Sequence, residues 1–153
     1  MRSWSHIVIH HSLTKDGPEV SWGAIRDYHL SLGWSDNGYH AGVERARGAY
    51  EVMLGRPLDC AGAHTKQEGM NMKALGICFI GNYDLGAPPR EMLMVAVRRF
   101  IVPAMKIFNI QIENIHPHRK FALYKSCPGK QFPWVDFIHM IADQINPSDA
   151  RTA

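Results

Sequence analysis

Residues 74–81 read ALGICFIG and residues 5–11 read SHIVIHH. Both are short apolar runs of strand length, and the pattern is that of strands buried inside a sheet. The second closes on two histidines, which places polar groups at a sheet end. Between them, Ser21 can cap a helix whose apolar positions Ile25, Tyr28 and Leu32 recur at helical spacing, with Gly33 as its stop. Two further strands, residues 39–44 and 50–54, flank a turn over residues 45–49 that contains Gly48, and together they read as a hairpin. Residues 56–73 carry Gly, Pro, Asn and Asp without a period and read as a long loop.

Beyond the central run, Pro88 and Pro89 open the longest helix. Leu93, Val97, Phe100, Ala104 and Ile107 share one face of it, and Pro103 kinks it by removing the bond to Arg99. A strand is expected over residues 112–118, then a polar loop to Phe132. A last helix runs over residues 135–145 with Ile138, Ile141 and Ile145 inward. Strands and helices interleave, so the reading is an α/β fold with a central mixed sheet flanked by three main helices. A single domain spans residues 1–153, with its core at about residues 5–146 and a frayed tail at 147–153.

Composition narrows the function classes. With 46% apolar and 20% charged residues the chain has ordinary globular values, so disorder is excluded. No stretch approaches the roughly 18 apolar residues needed to span a bilayer, and the first residues lack a signal-peptide core. The expected location is therefore the cytoplasm of the producing cell, with access to the wall only after the membrane is permeabilised. Cys60, Cys78 and Cys127 are odd in number and widely spaced, which argues for reduced thiols rather than a disulfide scaffold. A net charge of +3 with dispersed lysines and arginines gives little reason to expect a nucleic-acid partner.

Metal-ligating residue types gather at two places, the HHS at 10–12 and the segment HPHRKFALYKSC at 116–127. A catalytic zinc takes three nitrogen or sulfur ligands from the protein and leaves a fourth position open. His10, His11, His116, His118 and Cys127 are the candidates, and the strand period puts His10 and His11 on opposite faces. His116 and His118 would share a face of their strand. Neither segment has the spacing of a zinc finger or of the helical HExxH motif, so satisfied strand-end histidines and a small buried thiol remain the other reading. For His6, His29 and His139 that second reading is the better one.

IVIHHS (7–12), GWSDNGYH (33–40), GAYEVMLGRP (48–57), GAHTKQEGMNMKALGICFIGN (62–82) and HRKFALYKSCPG (118–129) occur in the order seen in type-2 N-acetylmuramoyl-L-alanine amidases. Over nearly its whole length the chain resembles that family, and small phage endolysins and prophage amidases are the branch it is most similar to. The family also includes the peptidoglycan recognition proteins. The resemblance implies the amidase fold and a Zn2+ ion held by His10, His118 and Cys127, with His11 and His116 as runners-up. It also implies Tyr39 and Lys125 as catalytic partners and His64, Asn71 and Arg56 in or beside the substrate groove. The implied reaction is hydrolysis of the bond between N-acetylmuramic acid and L-alanine in peptidoglycan, by a monomer. The alternatives are a non-catalytic peptidoglycan-binding module, from which Cys127 discriminates, and a cytoplasmic amidase that recycles muropeptides. Three departures from close phage members touch the ligands: His118 and Cys127 are nine apart where eight is usual, Pro117 stands where a small residue is usual and Lys120 where aspartate is common.

Overall fold

The computed structural model describes residues 2–15 and 21–146, so the tail expected to fray lies outside the described residues. Its frame is a five-stranded mixed sheet in the order β3-β2-β4-β1-β5. The strands are β1 (His6–His11), β2 (Ala41–Ala46), β3 (Ala49–Leu54), β4 (Ala74–Phe79) and β5 (Ile115–Pro117). Only the β2–β3 hairpin is antiparallel; β4 pairs parallel with both β1 and β2, and β1 pairs parallel with β5. Every residue of β4 is buried, as its unbroken apolar run requires.

The hairpin turn is tighter than the sequence suggested. Arg47 and Gly48 take φ of 51° and 86°, so two left-handed residues close it and the ladder runs on to Ala46 and Ala49. β2 begins two residues later than expected, although His40 still exchanges main-chain bonds with Gly76 and Gly55 on either side.

The period-two alternation sorts the sheet into two faces. On one, Ile7, Ile9, Leu75, Ile77 and Phe79 join a large core under the helices. These are α3 (Arg90–Ala96), which continues through a π turn (Val97–Ile101) into α4 (Val102–Phe108), and α5 (Trp134–Ile145). Instead of a simple kink at Pro103, the chain forms a π turn just before it, with the Val102 N–H bonded to the Val97 carbonyl. One added residue rotates all later positions by about 100°. Met105 is therefore buried, while Ile107, expected on the inner face, is 66% exposed. On α5 the buried positions are Phe137, Met140 and Ile141, with Ile138 and Ile145 at the margin of the core.

The other face is covered by loops and by α1 (Trp22–Ser31), whose first turn is capped by Ser21 accepting from the Ala24 N–H at 3.2 Å. Tyr28 and Leu32 do not face inward as expected; they are 60% and 50% exposed. Trp22, Ile25 and His29 are the buried residues instead. The cause is the Trp22 ring, which lies against Gly42 and Gly55, where an added Cβ would come within 2.2 and 2.9 Å of it. Its Nε1–H also donates to the Leu54 carbonyl.

The loop over residues 56–73 ends in a 3-10 turn (Gln67–Gly69) and the short helix α2 (Met70–Lys73). The strand expected over 112–118 is shorter: Ile112–Asn114 and His118–Lys120 are 3-10 turns around β5. Pro117, which has no N–H to give a ladder, ends that edge strand. Among the described residues no helix is long and apolar enough to cross a membrane.

Candidate functional site

His10 sits one residue before the end of β1, on the loop-covered face, in register with Cys78 of β4. His118 follows β5 directly in its 3-10 turn, so both reach the site from the C-terminal ends of adjacent parallel strands. Cys127 arrives from the loop behind. Arg119 holds that loop closed: its main-chain N–H donates to the Cys127 carbonyl at 2.8 Å and its Nη1 to the Gly129 carbonyl at 3.0 Å. Asp84 anchors the same loop from outside, accepting from the Ser126 hydroxyl and the Lys130 N–H. A ligand atom from each of His10, His118 and Cys127 then falls within 4.8 Å of the others, all three buried. His10 Nδ1 lies 3.7 Å from Cys127 Sγ.

Burial makes each of these groups prefer its neutral form. It lowers the His10 pKa well below the ordinary histidine value, helped by His64, His118 and Lys125. It takes His118 down to about 4, with Lys125 adding to the effect. The Cys127 thiol is pushed up to about 11 by burial, against a main-chain hydrogen bond from His11. Two neutral imidazoles and a buried thiol suit a borderline divalent cation, which would stabilise the thiolate beyond what Lys125 and Arg119 do. With Zn–N of about 2.1 Å and Zn–S of about 2.3 Å, a tetrahedral N–S edge is about 3.6 Å. The His10–Cys127 separation of 3.7 Å fits that edge.

The runners-up point elsewhere. His11 Nδ1 accepts from the Tyr83 N–H at 3.2 Å. His116 packs beside His6 and Phe121, with Lys120 Nζ 3.1 Å from its ring. The turn after Pro117 thus separates His116 from His118, and they do not share a strand face as expected. His29 is buried and accepts the Gly38 N–H, whereas His139 is exposed on α5.

Tyr39 and Lys125 both line the cleft of about 480 Å³ that opens over His10, His118 and Cys127. The Tyr39 ring centre is 5.1 Å from that of His10, and its hydroxyl hydrogen-bonds the Cys78 thiol. Burial raises the Tyr39 pKa well above the usual phenol value. Lys125 is exposed, its Nζ 5.9 Å over the Tyr124 ring. A second groove of about 360 Å³ continues past Trp34, Lys66, Gln67 and Asn71. Gln67 Nε2 donates to the Tyr124 hydroxyl at 3.2 Å.

His64 lines both spaces, with its ring nitrogens 3.0 Å from His10 Nε2 and 3.1 Å from the Ala74 carbonyl. Burial, with nearby His40, takes its pKa down to about 3. The Asn71 carboxamide oxygen accepts the His64 and Thr65 N–H groups. Arg56 is committed to the carbonyls of Asn37, Ala61 and Asp36. Sequence reasoning had not singled out Arg119, Asp84, Thr65 or Trp34. Arg119 lies inside the HR segment and Trp34 inside the GWSDNGYH segment, but no spacing rule marked any of the four.

A family profile described as N-acetylmuramoyl-L-alanine amidase matches residues 1–130. The endolysin of Klebsiella phage KP32 is 38% identical over 102 residues, which are 64% of this chain and 64% of that protein. Peptidoglycan-recognition protein LB of Drosophila melanogaster is 27% identical over 150 residues, covering 88% of this chain and 61% of that protein. The matches thus span less than two thirds of the length of these curated relatives. Among solved structures, the N-acetylmuramoyl-L-alanine amidase LysC from Clostridium intestinale URNW superimposes with a TM-score of 0.78 at 23% identity. That superposition covers 92% of this chain and 87% of that one, a likeness of fold.

Proposed function

The chain belongs to the N-acetylmuramoyl-L-alanine amidase family, and from that premise we propose that it is a zinc-dependent endolysin-type amidase. Its reaction is hydrolysis of the amide between N-acetylmuramic acid and the first L-alanine of the stem peptide. The observation that carries this reading is the convergence of His10, His118 and Cys127 on one point at the floor of an open cleft. The names of the phage endolysin and of the peptidoglycan-recognition relative support peptidoglycan as the polymer bound.

An amide is inert towards neutral water, so the site has to supply an electrophile and an activated nucleophile. Zinc, when held by His10, His118 and Cys127, supplies carbonyl polarisation and lowers the pKa of water. The protein groups do the rest. Lys125, carried on the cleft wall, places a positive charge where the oxyanion develops. Tyr39 orients the attacking water or passes a proton to the departing nitrogen, its hydroxyl kept protonated by burial. Trp34 and Tyr124 offer ring faces to the glycan and peptide along the cleft. Arg56 and Asn71, whose polar atoms bond the main chain, shape the groove from beneath.

The test compares intact sacculi with soluble anhydro-muropeptides, following the appearance of free L-alanine amino termini. Release from sacculi by the wild type and none by Cys127→Ala is the expected result. Turnover restricted to soluble fragments would make it a recycling amidase. Binding of sacculi without release by either form would make it a recognition module.

A further inference from the structure

We propose that His64 is a positioning residue that fixes the tautomer of His10. The carbonyl of Ala74, the first residue of β4, lies 3.1 Å from His64 Nε2. A carbonyl only accepts, so Nε2 carries the proton and, in the neutral ring, Nδ1 is a bare acceptor. The atom facing that Nδ1 is His10 Nε2, at 3.0 Å. It must therefore donate, and His10 is left with a bare Nδ1. That nitrogen is the one 3.7 Å from Cys127 Sγ. One main-chain carbonyl thus sets the proton positions of two rings in series and turns the ligating lone pair of His10 towards Cys127.

The surroundings of His64 are built to keep the ring in this pose. A Cβ on Gly62 would lie 2.4 Å from the ring and one on Gly76 2.5 Å, so both positions leave the space that the imidazole occupies. The Asn71 oxygen accepts from the His64 and Thr65 N–H groups at 2.8 and 2.7 Å and fixes where the side chain leaves the loop. The buried Thr65 hydroxyl lies 3.1 Å from His64 Nδ1 and 3.4 Å from His10 Nε2, closing the cluster on its remaining side. The partner of a ligating histidine's second nitrogen decides which nitrogen is free for the metal. An imidazole in that place is unusual, because it can accept only while its own other nitrogen donates.

The consequence for metal binding rests on the zinc reading above, but the proton positions do not. In metal-free wild-type protein, long-range 15N–1H NMR of the imidazoles is expected to show His10 and His64 both protonated at Nε2 and bare at Nδ1. Zinc affinity, measured by competition with a chromophoric chelator, is expected to fall about 10–100-fold in His64→Phe. His64→Gln, which can still present a carbonyl oxygen to His10, is expected to recover most of that loss. A proton on His10 Nδ1 in the wild type, or a His64→Phe affinity within about twofold of wild type, would overturn the proposal. Wild-type protein with the expected tautomers but no zinc uptake would leave the tautomer assignment standing and sink the metalloenzyme reading.

Discussion

On one face of the sheet, β1 and β4 give Ile7, Ile9, Leu75, Ile77 and Phe79 to the helices; on the other, the same strands give Val8, His10, Gly76 and Cys78 to the loops. The first face is held by packing of apolar side chains, in which Phe79 meets Phe132 and Phe137 ring to ring. The second is held by directed bonds between histidines and main chain: His40 takes the Gly76 N–H and gives to the Cys60 carbonyl, and His64 gives to the Ala74 carbonyl. Substitutions on the helical face should therefore change stability and leave chemistry alone, whereas those on the loop face should do the reverse. Each of the following measurements can break that division.

The largest effect is expected at Cys127. Cys127→Ala should abolish zinc retention and lower amidase activity on the order of 10³-fold or more, while the metal-free protein unfolds within about 1 kcal/mol of wild type. Metal analysis and chemical denaturation read the two halves. Across the sheet, Phe79→Ala removes a side chain that is 0% exposed. It should cost about 3–5 kcal/mol with zinc affinity unchanged, and a shifted affinity would mean that the faces are coupled.

Lys125→Ala should keep the metal and lower kcat by about 10²–10³-fold, with little change in stability because the side chain is exposed. Equal loss of zinc would show that Lys125 acts on the ligands instead of the oxyanion.

The smallest effect concerns His40, whose pKa burial lowers from 6.5 to about 4. Between those values the unfolded chain binds more protons than the native one. Stability is therefore full above about 6.5, falls with pH through that window and levels off below about 4. From pH 7 to pH 5, His40→Asn should lose about 2 kcal/mol less than wild type in chelator. Identical pH profiles would mean that His40 bears no share of the loop face's acid sensitivity.

Much of the helical face was legible in the sequence, because ALGICFIG and HIVIHH carry their periodicity locally. The helix readings that failed, one on each face, failed for non-local reasons. The π turn before Pro103 rotated Ile107 outward, and the Trp22 ring, seated on Gly42 and Gly55, turned α1 so that Tyr28 and Leu32 face solvent. On the loop face, the strand period placed His10 and His11 apart, and His11 does face Tyr83. The resemblance named His118 and Cys127, but their convergence depends on Arg119 and Asp84, which stitch one loop to another and leave no periodic trace. The partners of His64 were likewise hidden: a carbonyl in β4 and two glycines far apart in sequence define its pose.

The most direct test of the central claim is digestion of purified peptidoglycan by the protein as prepared, after a strong chelator, and after zinc is restored. Mass spectrometry would follow free L-alanine amino termini and peptide-free glycan. The account predicts termini that appear, vanish with the chelator and return with zinc. Termini that persist after complete metal removal, or that never appear while the polymer stays bound, would contradict it.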